Sequence, residues 1–312
     1  MTAVHPDIRL PFMSLRRVML TISGTLVLIS ILSLAFKGLN FGLDFTGGTL
    51  VEVSFDKAID PETVRVRLAA TGYEEAVVQH FGTDRELAIR VPTDGSADQS
   101  KIGDAVYKVI KENHADAELK QSSFVGAAVG DELAEDGGLA LLASLVVILV
   151  YVMFRFTRQF AVGAVAALFH DVIIVLGCFS VFGWTFDLPT LAAVLAVIGY
   201  SINDTIVIAD RIRENIIGLR RMEIVDVIDV STNQTLDRTL MTSGTTLISV
   251  LALLFFGGDM VRGFSVALTI GIVVGTYSSI YVAAAIALLL KVNREDLLPV
   301  EKEEQDLEEE RP

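Results

Sequence analysis

The sequence predicts a polytopic α-helical membrane protein of six transmembrane helices with one small α+β domain of ferredoxin-like order outside the bilayer. Three observations predict it. Mean hydropathy is +0.55 and 52% of residues are hydrophobic, more apolar surface than one soluble core hides. Apolar runs at 18–36, 139–154, 160–182, 188–209, 240–256 and 264–290 approach or exceed the roughly 20 residues that cross about 30 Å of hydrocarbon. Between the first and second runs lies a polar stretch, 37–137, whose residues repeat at strand and helix periods in turn.

The first run is long, has no convincing small-residue cleavage site and is expected to remain as an anchor. Cys178, the single cysteine, falls inside the third run, where it reads as a small packing residue. The net charge of −14 is local: −9 over 37–137, −7 from Glu295 onward, and +2 elsewhere. No basic patch points to nucleic acid. Arg9, Arg16 and Arg17 precede span one, Arg155 and Arg158 join spans two and three, and Arg211, Arg213, Arg220 and Arg221 follow span four. Lys291 and Arg294 follow span six, whereas the alternate loops, 183–187 and 257–263, hold only Arg262. That alternation predicts both termini in the cytoplasm (1–17 and the tail 291–312) and 37–137 on the opposite side. Trp184 suits an interfacial anchor there. The tail is a run of acidic residues expected to be disordered.

Within the outer domain, 49–55 alternates Val51, Val53 and Phe55 against Glu52 and Ser54, the pattern of a half-buried strand. Asp60 and Pro61 are the cap and first residue of a helix on which Val64 and Leu68 share a face. Strands near 75–81 and 86–91 flank a turn at 82–85. Ile102, Ala105, Val106, Val109 and Ile110 mark a second helix, and an extended stretch near 117–125 completes the order β-α-β-β-α-β. The segment 130–138 then reads as a polar helical joint to span two or as a solvated connector.

Ionisable residues inside a span are costly and are functional candidates for that reason. His170 and Asp171 occupy the middle of span three, and Asp204 lies in span four among Tyr200, Ser201, Asn203 and Thr205. Tyr200, Asn203, Asp204, Val207 and Arg211 share a side of that helix and are expected to line a hydrated crevice. Arg238, placed just before span five, is the expected partner of Asp204. Burial favours the protonated carboxyl and a nearby guanidinium favours the charged form, so a small movement of span five would switch Asp204 between holding and releasing a proton. A buried ion pair that only fixes packing is the alternative, and for His170 and Asp171 a purely orienting role is close to equally good. Intramembrane peptide hydrolysis by Asp171 and Asp204 is disfavoured by their different expected depths, and no His-Glu-x-x-His metal motif occurs. A structural or sensing subunit would leave these buried charges without a purpose. The pairs Gly47-Gly48 and Gly137-Gly138 are not phosphate loops.

Four motifs carry a resemblance: Phe41-Gly42-Leu43-Asp44-Phe45-Thr46-Gly47-Gly48, Arg155-Phe156 followed by His170-Asp171, the run from Gly199 to Thr205, and Asp210-Arg211-Ile212-Arg213-Glu214-Asn215. In this order and spacing, over about residues 10–290, the chain resembles the SecF branch of the SecD/SecF family. The resemblance implies a multi-pass protein of the bacterial cytoplasmic (inner) membrane, within the RND superfamily, whose outer domain is periplasmic. Its implied partners are a SecD-like subunit, the Sec translocon channel, an unfolded preprotein and the lipid bilayer. Its implied role is assistance to protein export driven by the proton gradient, with no catalysis, cofactor or metal. Proton conduction maps onto Asp204 and Arg238, with Asn203 beside them, and Gly42, Asp44, Phe45, Gly47 and Gly48 form the family's glycine motif. One departure is Ala127 after Val125-Gly126, where the family commonly has proline, which implies a less rigid joint. An RND-type small-solute exporter is the runner-up, and the choice between H⁺ and Na⁺ stays open.

Overall fold

The computed structural model describes residues 10–92 and 101–293. Most of the expected acidic tail lies outside the described residues. A single 3-10 turn, Phe12–Leu15, leads into α1 (Arg16–Phe36), followed by β1 (Asn40–Phe41) and the one-turn helix α2 (Leu43–Thr46). The extramembrane domain comprises β2 (Gly48–Ser54), α3 (Pro61–Ala70), β3 (Val77–Phe81), β4 (Thr83–Val91), α4 (Ile102–Asn113) and β5 (Glu118–Val125). Then come α5 (Ala127–Arg155), α6 (Arg158–Phe182), β6 (Thr185–Phe186), α7 (Leu188–Gly218), α8 (Ile224–Phe256) and α9 (Arg262–Ser278). A π-helical segment, Ser279–Ala283, joins α9 to α10 (Ala284–Leu289).

Six helical spans among the described residues are long and apolar enough to cross a bilayer. The helices outrun the apolar stretches that announced them. Those of α7 and α8 hold 31 and 33 residues, about 46 and 50 Å at 1.5 Å per residue, so their ends stand clear of about 30 Å of hydrocarbon. Hydropathy marks only the part in lipid, which is why α8 begins at Ile224 although its apolar run begins at 240. By the same token the segment 130–138 is the opening of α5 itself, continuous with the span.

In the bundle, α6, α7 and the α9–α10 helix are about half buried, whereas α1, α5 and α8 lie at the periphery with 11%, 11% and 17% of their apolar windows covered. Without a hydrophobic drive between helices in lipid, close packing rests on small residues and hydroxyls. A Cβ at Gly177 of α6 would stand 2.2 Å from the Ser30 Cβ of α1, so glycine alone permits the observed approach. One helical turn away, Ser33 and Ser180 hydrogen-bond at 2.7 Å. Gly271 of α9 is closed in the same way by Val197 of α7.

The extramembrane sheet has the order β3-β4-β2-β5 with every pair antiparallel, the ferredoxin-like arrangement expected of the element order. Asp60 caps α3 by accepting the Glu62 N–H at 3.0 Å. Val51, Val53, Leu87 and Ile89 point to one face and pack with Val64, Leu68, Val106 and Ile110 of the two helices. Strand alternation therefore sends Arg90 and Gln79 to the other face, which looks onto the bundle. Gly82, at φ +74°, is the whole turn between β3 and β4, because its left-handed backbone lets Phe81 and Thr83 pair directly. The loops at the ends of α1 and α6 also pair, as a two-residue parallel ladder of β1 with β6.

Replacing Gly177 by leucine is expected to push α1 from α6 and cost about 1–3 kcal/mol. Thermal unfolding of the purified protein checks this. Gly24→Ala, inside α1 at a position with no atom within 4 Å of the new Cβ, should leave the midpoint unlowered or raise it slightly.

Candidate functional site

The polar groups inside the bundle converge on four consecutive residues of the last helix. Thr276, Tyr277, Ser278 and Ser279 each send a hydroxyl to a different neighbour, as successive 100° steps around a helix require. Thr276 bonds Ser243 of α8 at 2.7 Å. Tyr277 donates to the Met19 carbonyl of α1 at 2.7 Å and meets Ser23 at 3.0 Å. Ser278 donates to Asp171 of α6 at 2.7 Å. Ser279 meets Thr205 of α7 at 2.8 Å and donates to the Ser201 carbonyl at 3.4 Å. The π segment starts at Ser279, and such segments inside α-helices are frequent at functional positions.

Asp171 is fully buried. Its Oδ2 accepts from Ser201 at 2.5 Å and from Ser278 at 2.7 Å, while Oδ1 lies 2.8 Å from Nδ1 of the adjacent His170. His170 is 6% exposed, and its Nε2 is buried without a hydrogen-bond partner.

Asp204, 3% exposed, stands three residues further along α7, a rise of about 4.5 Å. Its Oδ2 accepts from Ser243 at 3.4 Å. The two aspartates are thus nearly level, closer in depth than their sequence positions suggest, and each has its own set of donors with no hydrogen bond between them. Arg238 lies roughly four turns into α8, not before it. It forms no direct ion pair with Asp204, whose Oδ2 is bonded to Ser243. The expected grouping on α7 divides: Asp204 and Ser201 face inward, the Tyr200 hydroxyl is buried and unpartnered, and Asn203 is exposed on the outer side of the bundle with Arg238. At one end of the bundle Arg155 of α5 pairs with Asp210 of α7 at 2.5 Å, which unites two of the motifs singled out in the sequence.

The glycine motif is a structural junction. Gly42 opens α2, and the Asp44 carboxylate accepts the Leu188 N–H at 3.0 Å, while Asp187 accepts from the N–H of Thr190 at 2.9 Å. Two carboxylates therefore satisfy the first turn of α7, where the helix dipole favours negative charge. Gly47, at φ +63°, and Gly130 of α5 approach so closely that a Cβ on Gly130 would lie 2.8 Å from the Gly47 nitrogen. Phe45 stacks on Phe186 of β6, with ring centroids 6.0 Å apart. Arg90 reaches down from the sheet and donates to the Phe41 carbonyl at 2.6 Å; burial pushes its guanidinium below the ordinary arginine value. Beyond this junction the sheet meets the bundle through longer bonds, Gln79 to Thr185 at 3.5 Å and Arg262 to the Gly82 carbonyl at 3.4 Å. A cleft of about 580 Å³ lies beside them, between the β3–β4 hairpin and Phe182 and Trp184.

Residues 105–293 match the family described as protein export membrane protein SecD/SecF, C-terminal, and residues 32–59 match the SecD/SecF GG motif. The chain belongs to the SecD/SecF family. It is 49% identical to the protein translocase subunit SecF of Pseudomonas aeruginosa over 92% of this chain and 94% of that one. It is likewise 49% identical to the SecF of Vibrio alginolyticus, over 96% of both chains. The crystal structure of SecDF, a translocon-associated membrane protein from Thermus thermophilus, is 40% identical with a TM-score of 0.83 over 93% of this chain. The chain spans 40% of the length of that SecDF chain. SecDF in a super-membrane-facing form, with the same identity and coverage, gives a TM-score of 0.68.

Sequence reasoning singled out Asp204, Asp171 and the glycine motif, which the structure places inside the bundle and at its junction with the sheet, but missed the hydroxyl series of Thr276 to Ser279 and the capping role of Asp44. The available signal was the polar run Thr276-Tyr277-Ser278-Ser279 within an otherwise apolar span. Asp44→Ala should cost α7 about 1 kcal/mol, whereas Asp44→Asn, which keeps an acceptor, should cost less. Thermal unfolding of the two variants side by side checks the order.

Proposed function

We propose that this SecD/SecF-family chain is the SecF-type half of a two-part membrane unit that assists export of unfolded preproteins through the Sec translocon across the bacterial cytoplasmic membrane. The proton gradient drives it through Asp204 and Arg238, and movement of the extramembrane domain is the output. The observation that carries this reading is the pair of directions at α7 and α8: Asp204 buried on hydroxyls, Asn203 and Arg238 facing out of the bundle. Arg238 stands exposed two residues before the apolar stretch of α8 that begins at 240, at the edge of the hydrocarbon, so a second membrane unit with its own polar residues is the neighbour we propose for that face. The relatives' names supply the rest, since they are protein translocase subunits.

Orientation follows the same logic. Arg16, Arg17, Arg155, Arg158, Arg211, Arg213, Arg220 and Arg221 collect at one end of the bundle, which supports cytoplasmic termini and a periplasmic α+β domain. Small-solute export finds no such support in the relatives' names, which are those of protein translocase subunits. A membrane potential of roughly 100 mV contributes about 2.3 kcal/mol per charge. That is comparable to one hydrogen bond from a charged donor, about 1.5–3 kcal/mol, such as the Arg262 bond that joins the bundle to the sheet.

Cells with Asp204→Asn as their only copy should lose gradient-dependent export of a secreted reporter almost to the level of a deletion strain, with membrane insertion of the variant intact. Arg238→Ala should do the same and Arg238→Lys should retain part of the activity. Normal export in Asp204→Asn cells would make Asp204 structural and remove the basis of the reading.

A further inference from the structure

We infer that His170 and Asp171 form a second proton-accepting unit in the bundle, linked to Asp204 through the consecutive hydroxyls of α9. This inference rests on the proposed proton-driven reading and adds a residue pair to it.

Geometry distinguishes the pair from a packing latch. Asp171 is fully enclosed, yet its three neighbours are all groups that respond to its protonation: the hydroxyls of Ser201 and Ser278 on Oδ2 and the imidazole on Oδ1. On the far side of the ring, Nε2 is buried and unpartnered, a free position for one proton in an otherwise satisfied cluster. A proton taken up at Nε2 gives imidazolium. Transfer of the Nδ1 proton to Oδ1 then leaves a neutral imidazole and a carboxylic acid, and the unit has gained one proton and lost one negative charge. The serine hydroxyls, which favoured the carboxylate, then hold a neutral oxygen and bind it less tightly.

Packed on α6 are α1, α5, α7, α9, the π segment and α10; the π segment brings Tyr281, α10 has no ionisable side chain, and those of α5 lie toward its two ends, Asp131 to Asp136 and Tyr151 with Arg155. From α9, Tyr277 presents its ring 6.3 Å from that of His170, with its hydroxyl engaged by Met19 and Ser23. From α7, Ser201 touches Asp171, and the nearest ionisable groups along that helix are Tyr200 and Asp204. Between Val18 and Phe36 α1 has no ionisable side chain. Among the described residues no lysine or arginine is paired with Asp171, whose one ionisable contact is the His170 imidazole.

Coupling follows from connectivity. Asp204 reaches Thr276 through Ser243, Asp171 reaches Ser278 directly, and Ser279 bonds α7 between them. All three hydroxyls belong to one stretch of α9 at the head of the π segment, where the backbone is already off the α-helical pattern. Loosening of Ser278 on protonation of Asp171 therefore acts on the same turn of helix that senses Asp204.

The test uses the full chain with its SecD-type partner in cells and in inverted vesicles prepared from them. Asp171→Asn keeps the size and an acceptor for the two serines but cannot titrate. It should lower gradient-dependent export at least about tenfold, the outcome also expected of Asp204→Asn. Ser278→Ala removes a donor that favours the charged carboxylate, so the pH profile of gradient-driven export should move toward higher pH by about half to one unit. A latch that never titrates would leave that profile in place. If Asp204→Asn abolishes export while Asp171→Asn does not, the second unit is overturned and the proposed function stands. If both variants export normally, the proposed function fails and this inference with it. If Asp171→Asn fails export but Ser278→Ala leaves the profile unmoved, Asp171 is a structural group and the inference is overturned. Should Asp171→Asn not insert, the Ser278→Ala profile decides alone.

Discussion

The bundle depends on one constraint: a polar group enclosed by lipid-facing helices must find its partner within the protein. Thr276, Tyr277, Ser278 and Ser279 meet that constraint for α1, α6, α7 and α8 from a single turn of α9. Each bond is modest on its own, about 0.6 kcal/mol on average for such interhelical contacts. Their placement on consecutive residues matters more than their sum. A rotation of α9 that improves one bond disturbs the other three, so the bundle has few intermediate arrangements open to it. The π segment that begins at Ser279 provides the local slack for a change of register, and Gly163 of α6 admits its Ala283 carbonyl at a distance that any side chain would close.

A second constraint ties this interior to the domain outside. The first turn of α7 is held by Asp44 of the glycine motif, and the same helix carries Ser201 and Asp204. From Leu188 to Asp204 is about 24 Å along a continuous helix, which transmits a shift with little loss. Gly47 and Gly130 bring α2 against α5 at backbone distance, so the motif grips two membrane helices at once. Beyond that grip the sheet meets the bundle across a cleft and two long polar bonds. The domain is thus firmly hinged at one edge and lightly held at the other, the arrangement a movable domain requires on the proposed reading.

The spans and the α+β order were legible because both are written in periodicity: long apolar runs for helices in lipid, alternation and caps for the sheet and its helices. Asp171 and Asp204 were legible because charge in a span is rare. Less could be read where hydropathy carries little signal. Serine, threonine and tyrosine barely disturb an apolar run, so the four hydroxyls from Thr276 to Ser279 are a faint signal whose meaning depends on where their partners lie. Asn203 and Asp204 are adjacent in sequence and were expected to share a crevice, yet the 100° step between them sends one outward and the other inward. The extension of α8 to Ile224 changed Arg238 from a flanking residue into one well inside a helix. The β1–β6 ladder, two residues long, is too short for any pattern.

The outer surface of α8 shows which polar residues are settled and which are not. Arg238, Thr242, Thr245 and Ser249 lie along one exposed stripe. The three hydroxyls bond the carbonyls of Arg238, Met241 and Thr245 one turn back, so lipid can cover them without leaving a donor unmet. A guanidinium has five N–H donors in a plane and cannot be satisfied by its own helix. Nor does Asp204 pair with it directly; the Asp204 Oδ2 accepts from Ser243. The exposed amide of Asn203 adds a second unmet group on the same outer side. Both side chains stand exposed on α7 and α8 near the end of the apolar stretch. That places the demand for a second polar surface beside the carboxylate whose protonation the proposed cycle uses. A partner helix seated there would then do two things with one contact: shield Arg238 from lipid, and set the distance between its charge and Asp204.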